Sequence, residues 1–378
     1  MGNRKSIAII VAACILLSFV CGFGGAFAAN ALDDYMDKKA EIREAQETGD
    51  VSIGDNNRIA TAVNLAEATG SNLTISEIVA LNENAVVEIR TEMIATDSWM
   101  MQYVTEGAGS GVIVSKEGYI ATNNHVIDGA RKIAVRLKNG TEYEATLVGR
   151  DSETDIAVLK IDADGLTCAV FGDSDRLVVG ELAVAIGNPL GKLGGTATAG
   201  IISAKDRQIT IDGKDMTLLQ TDASINPGNS GGGLFNQNGE LIGIVVAKST
   251  GSDVEGLGFA IPINTAEPVI EELIDHGYVK GRPDVGMTFR DFTSITDAFF
   301  YGVRNLGIYV DEVYGEEAIE AGFRENDMIC YVDDAEIRSA NDLTEAFKGC
   351  KPGDVREIVI LRDGRQMTLS LVIGEKTN

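Results

Sequence analysis

Residues 222–232 read DASINPGNSGG, and this stretch indicates both the fold and the chemistry of the chain. The glycines around Ser230 let the backbone approach another chain closely and adopt conformations that residues with a Cβ avoid. In such a turn, backbone N–H groups can be aimed at one point in space and bind a negatively charged oxygen. Ser230 is therefore a candidate nucleophile.

A serine hydroxyl is a poor nucleophile until a base removes its proton, and near neutral pH the usual base is histidine. The chain has only two histidines, His125 and His276. His125 follows the run YIATNN at 119–124, which is typical of a buried strand that runs into a turn. His276 ends an apparent helix and precedes Gly277, an ordinary position in a last helical turn. His125 is therefore the candidate base.

The candidate carboxylate is Asp155, which directly precedes the apolar strand IAVLK at 156–160. A carboxylate at the mouth of a strand can be partly buried, orient a histidine and stabilise its imidazolium. Asp151 and Glu153 are nearby rivals, but neither abuts the apolar run, and both are expected to be solvated turn residues. The candidates His125, Asp155 and Ser230 follow the chain order of the chymotrypsin-like fold.

Several stretches resemble the HtrA serine proteases, the family of DegP and DegQ. They are GSGVI at 109–113, TNNHV at 122–126, DIAVLK at 155–160, AIGNPLG at 185–191, LQTDA at 219–223 and GFAIP at 258–262. They occur in the family's order, and the resemblance extends from about Leu73 to the end of the chain. Gly233 and Phe235 depart from the family's usual residues, and neither departure removes a catalytic group.

The resemblance implies a mostly β fold with two six-stranded barrels and an active site between them. Short β-branched segments separated by glycine turns, from Ile75 to Pro262, are independently typical of an all-β sandwich or barrel. The segment 93–107 holds Trp99 and Tyr103 among polar residues, and the resemblance makes it a variable regulatory loop. The same side chains could instead pack on the barrel.

From Arg282 onward, the order of strands and helices resembles one α+β PDZ domain. The expected elements are strands at 307–313, 328–332, 357–361 and 367–372 and helices at 316–322 and 339–347. PDZ domains add a peptide as a strand at a sheet edge and bind its C-terminal carboxylate on backbone amides. The matching loop places Val285, Gly286 and Met287 at the end of the bound peptide.

The N-terminus predicts a membrane anchor, because an uncharged run at 6–31 is long enough to span a bilayer. Arg4 and Lys5 precede this run and place the short N-terminal side in the cytoplasm. The alternative is a cleaved signal peptide that ends near residues 26–28. The expected segments are an anchor at 1–31, a linker at 32–72, a trypsin-like domain at 73–275, a linker at 276–282 and a PDZ domain at 283–378.

Composition excludes several classes of function. A formal net charge of −25 and a pI near 4.4 argue against nucleic-acid binding, which needs a basic surface. The five cysteines form no CxxC motif, and with two histidines they support neither a zinc site nor another cofactor. Cys168, Cys330 and Cys350 are expected to be buried thiols, although a disulfide between Cys330 and Cys350 is conceivable.

The resemblance implies hydrolysis of peptide bonds in unfolded or damaged exported proteins by a membrane-anchored homotrimer. The oxyanion would be bound by the N–H groups of Gly228 and Ser230. Substrate would contact a strand edge and pocket wall formed by Leu257, Gly258, Phe259 and Val245. Two other functions remain open. One is a chaperone or scaffold that acts through its PDZ domain, and the other is a stress-signalling protease dedicated to one partner.

Overall fold

The computed structural model describes residues 73–96, 101–188, 195–211, 214–247, 257–294, 298–299, 301, 303 and 305–377. The predicted membrane anchor, the linker after it and Trp99 lie outside these residues. Within the ranges given, no helix is both long and apolar enough to cross a membrane.

A sheet of seven strands comes first, in the order β5-β4-β1-β2-β3-β7-β6. Its strands are β1 (Val86–Thr96), β2 (Gln102–Ile113), β3 (Tyr119–Asn123), β4 (Lys132–Arg136), β5 (Glu142–Glu144), β6 (Thr146–Asp151) and β7 (Ile156–Lys160). Strands β5 and β6 form opposite edges of the sheet, yet only Ala145 separates them in sequence. The two edges therefore meet, and the sheet wraps into a barrel. The seventh strand arises because the edge strand is interrupted at Ala145.

The second sheet is a closed barrel in the order β10-β13-β12-β11-β8-β9. Its strands are β8 (Leu182–Gly187), β9 (Thr196–Ile211), β10 (Lys214–Thr221), β11 (Gly233–Phe235), β12 (Leu241–Val246) and β13 (Gly258–Pro262). Every residue of β12 is buried, which is why its sequence LIGIVV is apolar without alternation. The prediction of two barrels is thus confirmed within the described residues.

Among the residues that the structure describes, three α-helices accompany the barrels: α1 (Ile75–Asn82), α2 (Asn124–Ile127) and α3 (Ile263–His276). Helix α1 begins with a capping box, in which Thr74 accepts from the Glu77 N–H and the Glu77 carboxylate accepts from the Thr74 N–H. Helix α3 ends at Gly277, whose φ of 81° closes the helix in the left-handed conformation. The prediction that His276 ends a helix is confirmed.

The C-terminal region is a second α+β unit with its own core. It contains β14 (Pro283–Asp284), β15 (Met287–Phe292), β16 (Gly307–Val313), α4 (Glu316–Ala321), β17 (Met328–Val332), β18 (Ala335–Glu336), α5 (Ala340–Phe347), β19 (Val355–Arg362), β20 (Arg365–Val372) and β21 (Gly374–Glu375). Asn326 has a φ of 67°, the left-handed conformation that asparagine tolerates. Each strand and helix expected from the sequence is present, with boundaries shifted by at most a few residues.

The segment 93–107 differs from the expected loop. Strands β1 and β2 pair without a break out to Thr96 opposite Gln102, so the described part of this segment is an extended hairpin. Met101, Tyr103 and Val104 are exposed on it. Because both faces of the outer hairpin meet solvent, its sequence lacks the alternation that identifies a half-buried strand.

The three cysteines outside the N-terminal segment are free thiols. Cys168 and Cys350 are buried, as predicted, whereas Cys330 is partly exposed. The conceivable disulfide between Cys330 and Cys350 is not formed. Cys168 and Cys350 belong to the cores of the first barrel and of the C-terminal unit, and Cys350 Sγ also accepts from the Arg356 guanidinium at 3.3 Å.

Candidate active site

The three candidate side chains meet between the barrels. Strands β3 and β7 are hydrogen-bonded neighbours with Asn123 opposite Ile156, so the residues that follow β3 and precede β7 come together. His125 lies in α2 after β3, and Asp155 directly precedes β7. Ser230 comes from the turn before β11, and its carbonyl accepts a hydrogen bond from the first barrel.

A continuous hydrogen-bonded chain joins the three side chains. Ser230 Oγ lies 2.6 Å from His125 Nε2, and His125 Nδ1 lies 2.6 Å from Asp155 Oδ2. Asp155 Oδ1 also accepts from the backbone N–H of His125 at 2.9 Å. Both carboxylate oxygens therefore hold the same histidine. With the proton on Nδ1, the Nε2 lone pair faces the serine hydroxyl, as a general base requires.

The backbone at Asp155 is left-handed, with a φ of 57°. Its carbonyl accepts from the Asn124 N–H at 3.0 Å and from Asn123 Nδ2 at 3.2 Å. Asparagine and aspartate tolerate this conformation better than other residues with a Cβ. The turn therefore fixes the direction of the carboxylate from both the backbone and the side chain.

Asp151 is not the solvated residue that the sequence predicted. Its side chain is only 3% exposed, and it ends β6. Its carboxylate accepts from the Thr154 N–H and hydroxyl and from the Arg282 guanidinium at 2.6 Å. Burial is possible because these donors replace water around the charge. Glu153 is half-exposed, as expected, and also contacts Arg282. Neither rival carboxylate has a hydrogen bond to His125, so Asp155 alone of the three holds the histidine.

Two contacts to the nucleophile were not anticipated from the sequence. Asn123 Oδ1 lies 2.9 Å from Ser230 Oγ, and the Ala247 N–H donates to the same oxygen at 3.2 Å. Asn123 is fully buried, and a polar residue two positions before a candidate histidine was a signal that could have identified it. Ala247 contributes only its backbone, so its sequence carried no such signal.

The predicted substrate-contacting residues divide into two groups. Gly258 and Phe259 lie in β13 and pair with β10, and Leu257 just before them is 40% exposed. Val245 is fully buried, and its side chain lies in the core of the second barrel. Its carbonyl accepts from the Gly231 N–H at 2.9 Å. Val245 therefore supports the nucleophile turn from behind, and Leu257 is the member of the set that reaches the surface.

The predicted peptide-binding loop lies at the start of β15. The carbonyl of Gly286 accepts from the N–H groups of Tyr314 and Gly315, both at 2.9 Å. Val285 packs against the core of this unit, and Met287 is buried in it. In the described sheet, β15 pairs only with β16, so its other edge is open to an added strand.

The described residues contain no group of three or more His, Cys, Asp or Glu side chains that could hold a metal ion. The hydrogen-bonded arrangement of Ser230, His125 and Asp155 supports proton transfer and nucleophilic attack.

These features define a class: a trypsin-like peptidase domain followed by a PDZ domain. The family description "Trypsin-like peptidase domain" matches residues 109–244, and "PDZ domain" matches residues 283–373.

Curated relatives identify the family. "Serine protease Do-like HtrA" of Lactobacillus helveticus is 40% identical over 283 residues, which cover 71% of this chain and 68% of the relative. "Serine protease Do-like HtrA" of Bacillus subtilis is 43% identical over 288 residues, 71% of this chain and 64% of the relative. "Periplasmic pH-dependent serine endoprotease DegQ" of Escherichia coli is 41% identical over 279 residues, 72% of this chain and 60% of the relative. The chain belongs to the HtrA family of serine proteases.

A solved structure, "HtrA-type protease AlgW with decapeptide", is 35% identical and superposes with a TM-score of 0.52. That comparison covers 81% of this chain and 100% of the other chain. The matched part of the Bacillus subtilis and Escherichia coli relatives is 64% and 60% of their length, less than two thirds.

Proposed function

We propose that this protein is a serine endopeptidase that acts outside the cytoplasm on unfolded or damaged exported proteins. The observation that carries the proposal is the chain of two 2.6 Å contacts from Ser230 Oγ through His125 to Asp155. A binding protein has no need of this arrangement, whereas acyl transfer requires it.

In the proposed reaction, His125 Nε2 takes the hydroxyl proton of Ser230 while the oxygen attacks the scissile carbonyl. Asp155 keeps the proton of the neutral imidazole on Nδ1 and stabilises the imidazolium that forms. The tetrahedral intermediate collapses, the C–N bond breaks, and His125 gives its proton to the leaving amine. Water then attacks the acyl-enzyme and gives a proton to His125, which returns it to the serine oxygen.

The N–H groups of Gly228 and Ser230 are the proposed donors to the oxyanion. Among the described residues, neither N–H has a hydrogen-bond acceptor. Unoccupied donors that are held in place would need no rearrangement when charge develops, and one such donor is worth about 2.7–4 kcal/mol of barrier. The turn is therefore proposed to contribute as much as the three side chains.

The proposed recognition uses two surfaces. Leu257, Gly258 and Phe259 would contact the chain being cleaved, with Leu257 beside a small or medium aliphatic side chain. The open edge of β15 and the loop Val285-Gly286-Met287 would bind a peptide C-terminus. HtrA-type AlgW has been solved with a decapeptide and with a tripeptide, which supports peptide binding in this family. Membrane anchoring through residues 6–31 and a trimeric assembly belong to the same proposal.

A second candidate is a protease dedicated to one partner, whose activity depends on a peptide at the PDZ domain. The contact of Arg282, next to the PDZ domain, with the turn that carries Asp155 favours this candidate. Breadth of cleavage separates the two. A quality-control protease cleaves many unfolded proteins, whereas a dedicated protease cleaves one and leaves the others intact.

The test is to incubate the full chain, purified in detergent micelles, with unfolded casein beside Ser230→Ala. Degradation by the wild-type chain alone would support the endopeptidase. Degradation that appears only after addition of a peptide with an apolar C-terminus would support the dedicated form. Equal degradation by both chains would contradict Ser230 as the nucleophile.

A further inference from the structure

Ser110 makes four hydrogen bonds, and two of them connect the nucleophile turn to the first barrel. It lies near the end of β2 and is fully buried. Its N–H donates to the Ser230 carbonyl at 2.8 Å, and its hydroxyl donates to the Gly228 carbonyl at 2.5 Å. The hydroxyl also accepts from the Asn188 N–H at 2.8 Å, and the Ser110 carbonyl accepts from the Thr122 hydroxyl at 2.7 Å. Each polar group of Ser110 therefore has a protein partner.

The two carbonyls that Ser110 holds alternate along the chain with the two N–H groups proposed to bind the oxyanion. Peptide units are planar, so fixing a carbonyl fixes the orientation of its whole unit. The Gly228 carbonyl precedes the unit that carries the Ser230 N–H, and the Ser230 carbonyl follows it. Holding both carbonyls on one rigid strand therefore restricts the backbone on each side of the Ser230 N–H.

Gly228 needs an external restraint because its backbone is unusually free to move. Its φ is 103°, in a region that glycine enters readily and leaves as readily. A hydrogen bond from a fully buried hydroxyl to the Gly228 carbonyl opposes rotation about the adjoining bonds. The hydroxyl cannot reorient freely, since the Asn188 N–H occupies its lone pair from the other side.

Packing reinforces the hydrogen bonds. Gly231 has a φ of 81°, and a Cβ at this position would overlap the Ser110 carbonyl oxygen and the Thr122 hydroxyl. The turn therefore lies directly against the backbone of β2, with no side chain between them. Such close contact fixes the position of the turn relative to strand β2.

We propose that Ser110 is a positioning residue of the oxyanion hole. Its hydroxyl holds the peptide unit between Gly228 and Asn229, which lies between the units that carry the Gly228 and Ser230 N–H groups, so that these two N–H groups converge before substrate arrives. Ser110 itself does not contact substrate and takes no part in proton transfer. The inference rests on the proposed endopeptidase function and adds to it the group that sets the donor geometry.

The test compares Ser110→Ala with Ser115→Ala in the full chain. Ser115 is a matched control, because it is also fully buried and its hydroxyl also accepts a backbone N–H, that of Glu117 at 3.2 Å. It lies in the turn after β2, away from the nucleophile. On a chromogenic peptide substrate, Ser110→Ala is expected to lower kcat roughly 10- to 100-fold, somewhat less than the 10²–10³-fold loss on removing an oxyanion donor itself. KM should change less than about twofold, and Ser115→Ala should retain wild-type kcat.

A peptide boronic acid provides the readout that a purely structural role would not affect. It forms a tetrahedral adduct with the serine oxygen and so reports on the oxyanion donors. Its Ki is expected to rise by the same factor as kcat falls in Ser110→Ala. Binding of the uncleaved substrate, measured in the Ser230→Ala background, should be unaltered by Ser110→Ala. If Ser110→Ala does not fold, Ser110→Cys replaces it, with a weak donor of similar size and a smaller expected loss.

Unchanged kcat in Ser110→Ala would overturn the inference while leaving the proposed function intact. A fall in kcat with an unchanged boronate Ki, or an equal fall in Ser115→Ala, would also overturn it, since the effect would then be general loss of packing. A wild-type chain that neither cleaves peptides nor forms the adduct would overturn the proposed function itself and this inference with it.

Discussion

The carboxylate of Asp155 contacts His125 twice: one oxygen accepts from the backbone N–H and the other lies against ring Nδ1. The substitution Asp155→Asn can remove one of these contacts and keep the other. In Asp155→Asn, one oxygen can still accept a hydrogen bond, but the new NH₂ group cannot. If the NH₂ group faces His125 Nδ1, it favours the tautomer whose protonated Nε2 faces Ser230. We therefore expect a loss of about 10⁴-fold in kcat with little change in thermal stability.

The measurement for Asp155→Asn is the steady-state rate on a chromogenic peptide, with Asp128→Asn as control. Asp128 is exposed and pairs with Arg150 on the surface, so its neutralisation should leave kcat unchanged. A rate for Asp155→Asn within tenfold of the wild type would mean that the carboxylate does not set the tautomer.

Gly231 is the second residue at which a small change has a large expected effect. In Gly231→Ala, the Cβ would both require a left-handed backbone and overlap Ser110 and Thr122. Gly129→Ala is the matched control, since Gly129 also has a positive φ of 70° but no heavy atom within 4 Å. The control should lose about 1–2 kcal/mol of unfolding free energy. Gly231→Ala should lose clearly more or fail to fold, as measured by urea denaturation, and equal losses would contradict the packing argument.

The sequence predicted three side chains that the fold brings together, because their chemistry restricts residue type. Only two histidines had to be considered, and one carboxylate abutted an apolar strand. It misjudged Asp151, since the donor that makes burial of this charge possible, Arg282, is far away in sequence. Ala247 could not be identified at all, because any residue offers the same N–H. What the sequence lacked was the set of partners that long-range folding brings to each group.

At the scale of elements, prediction succeeded where burial leaves a run or a face of apolar side chains in the sequence. The buried strand β12 and helix α3 were evident from apolar runs and from the glycine after His276. The outer part of the β1–β2 hairpin was missed because backbone pairing, rather than side-chain burial, holds it. The two barrels came from the family resemblance, since periodicity alone does not distinguish a barrel from a sandwich.

Helix α1 offers an element-scale prediction. Its capping box places the Thr74 hydroxyl near the Glu77 N–H, and its buried Asn82 donates to the Gly239 carbonyl of the second barrel at 2.9 Å. Thr74→Ala removes the acceptor and should cost about 1 kcal/mol of local stability. Amide hydrogen exchange at Glu77 should therefore accelerate roughly fivefold. Thr146→Ala, which removes an exposed hydroxyl in β6 that caps no helix, is the control, and unchanged exchange at Glu77 would exclude a stabilising cap.

At the scale of the whole molecule, three contacts join the PDZ region to the turn between β6 and β7. Arg282 pairs with Asp151 at 2.6 Å and with Glu153 at 2.5 Å, and Lys376 Nζ donates to the Ser152 hydroxyl at 3.1 Å. Asp155 is the last residue of this turn, directly before β7. A displacement of the PDZ region would therefore act on the element that positions the proposed catalytic carboxylate.

The two ion pairs of Arg282 should differ in strength because their carboxylates differ in burial. Asp151 is 3% exposed and Glu153 is 50% exposed. An exposed pair is worth about 0–1 kcal/mol after solvent screening. A buried charge left without its partner costs considerably more, about 3–5 kcal/mol when one side is removed. Arg282→Ala should therefore destabilise the chain mainly through Asp151.

Double-mutant cycles measure this difference directly. The coupling between Arg282→Ala and Asp151→Asn is expected at about 1–3 kcal/mol, and that between Arg282→Ala and Glu153→Gln at less than about 1 kcal/mol. Unfolding free energies from urea titration supply each corner of the cycles. Arg338→Ala, which removes an exposed pair with Glu336 inside the PDZ region, is the control. Equal coupling energies to Asp151 and Glu153 would mean that Arg282 is held only by surface charge. The buried Asp151 would then not strengthen the contact between the PDZ region and the turn that carries Asp155.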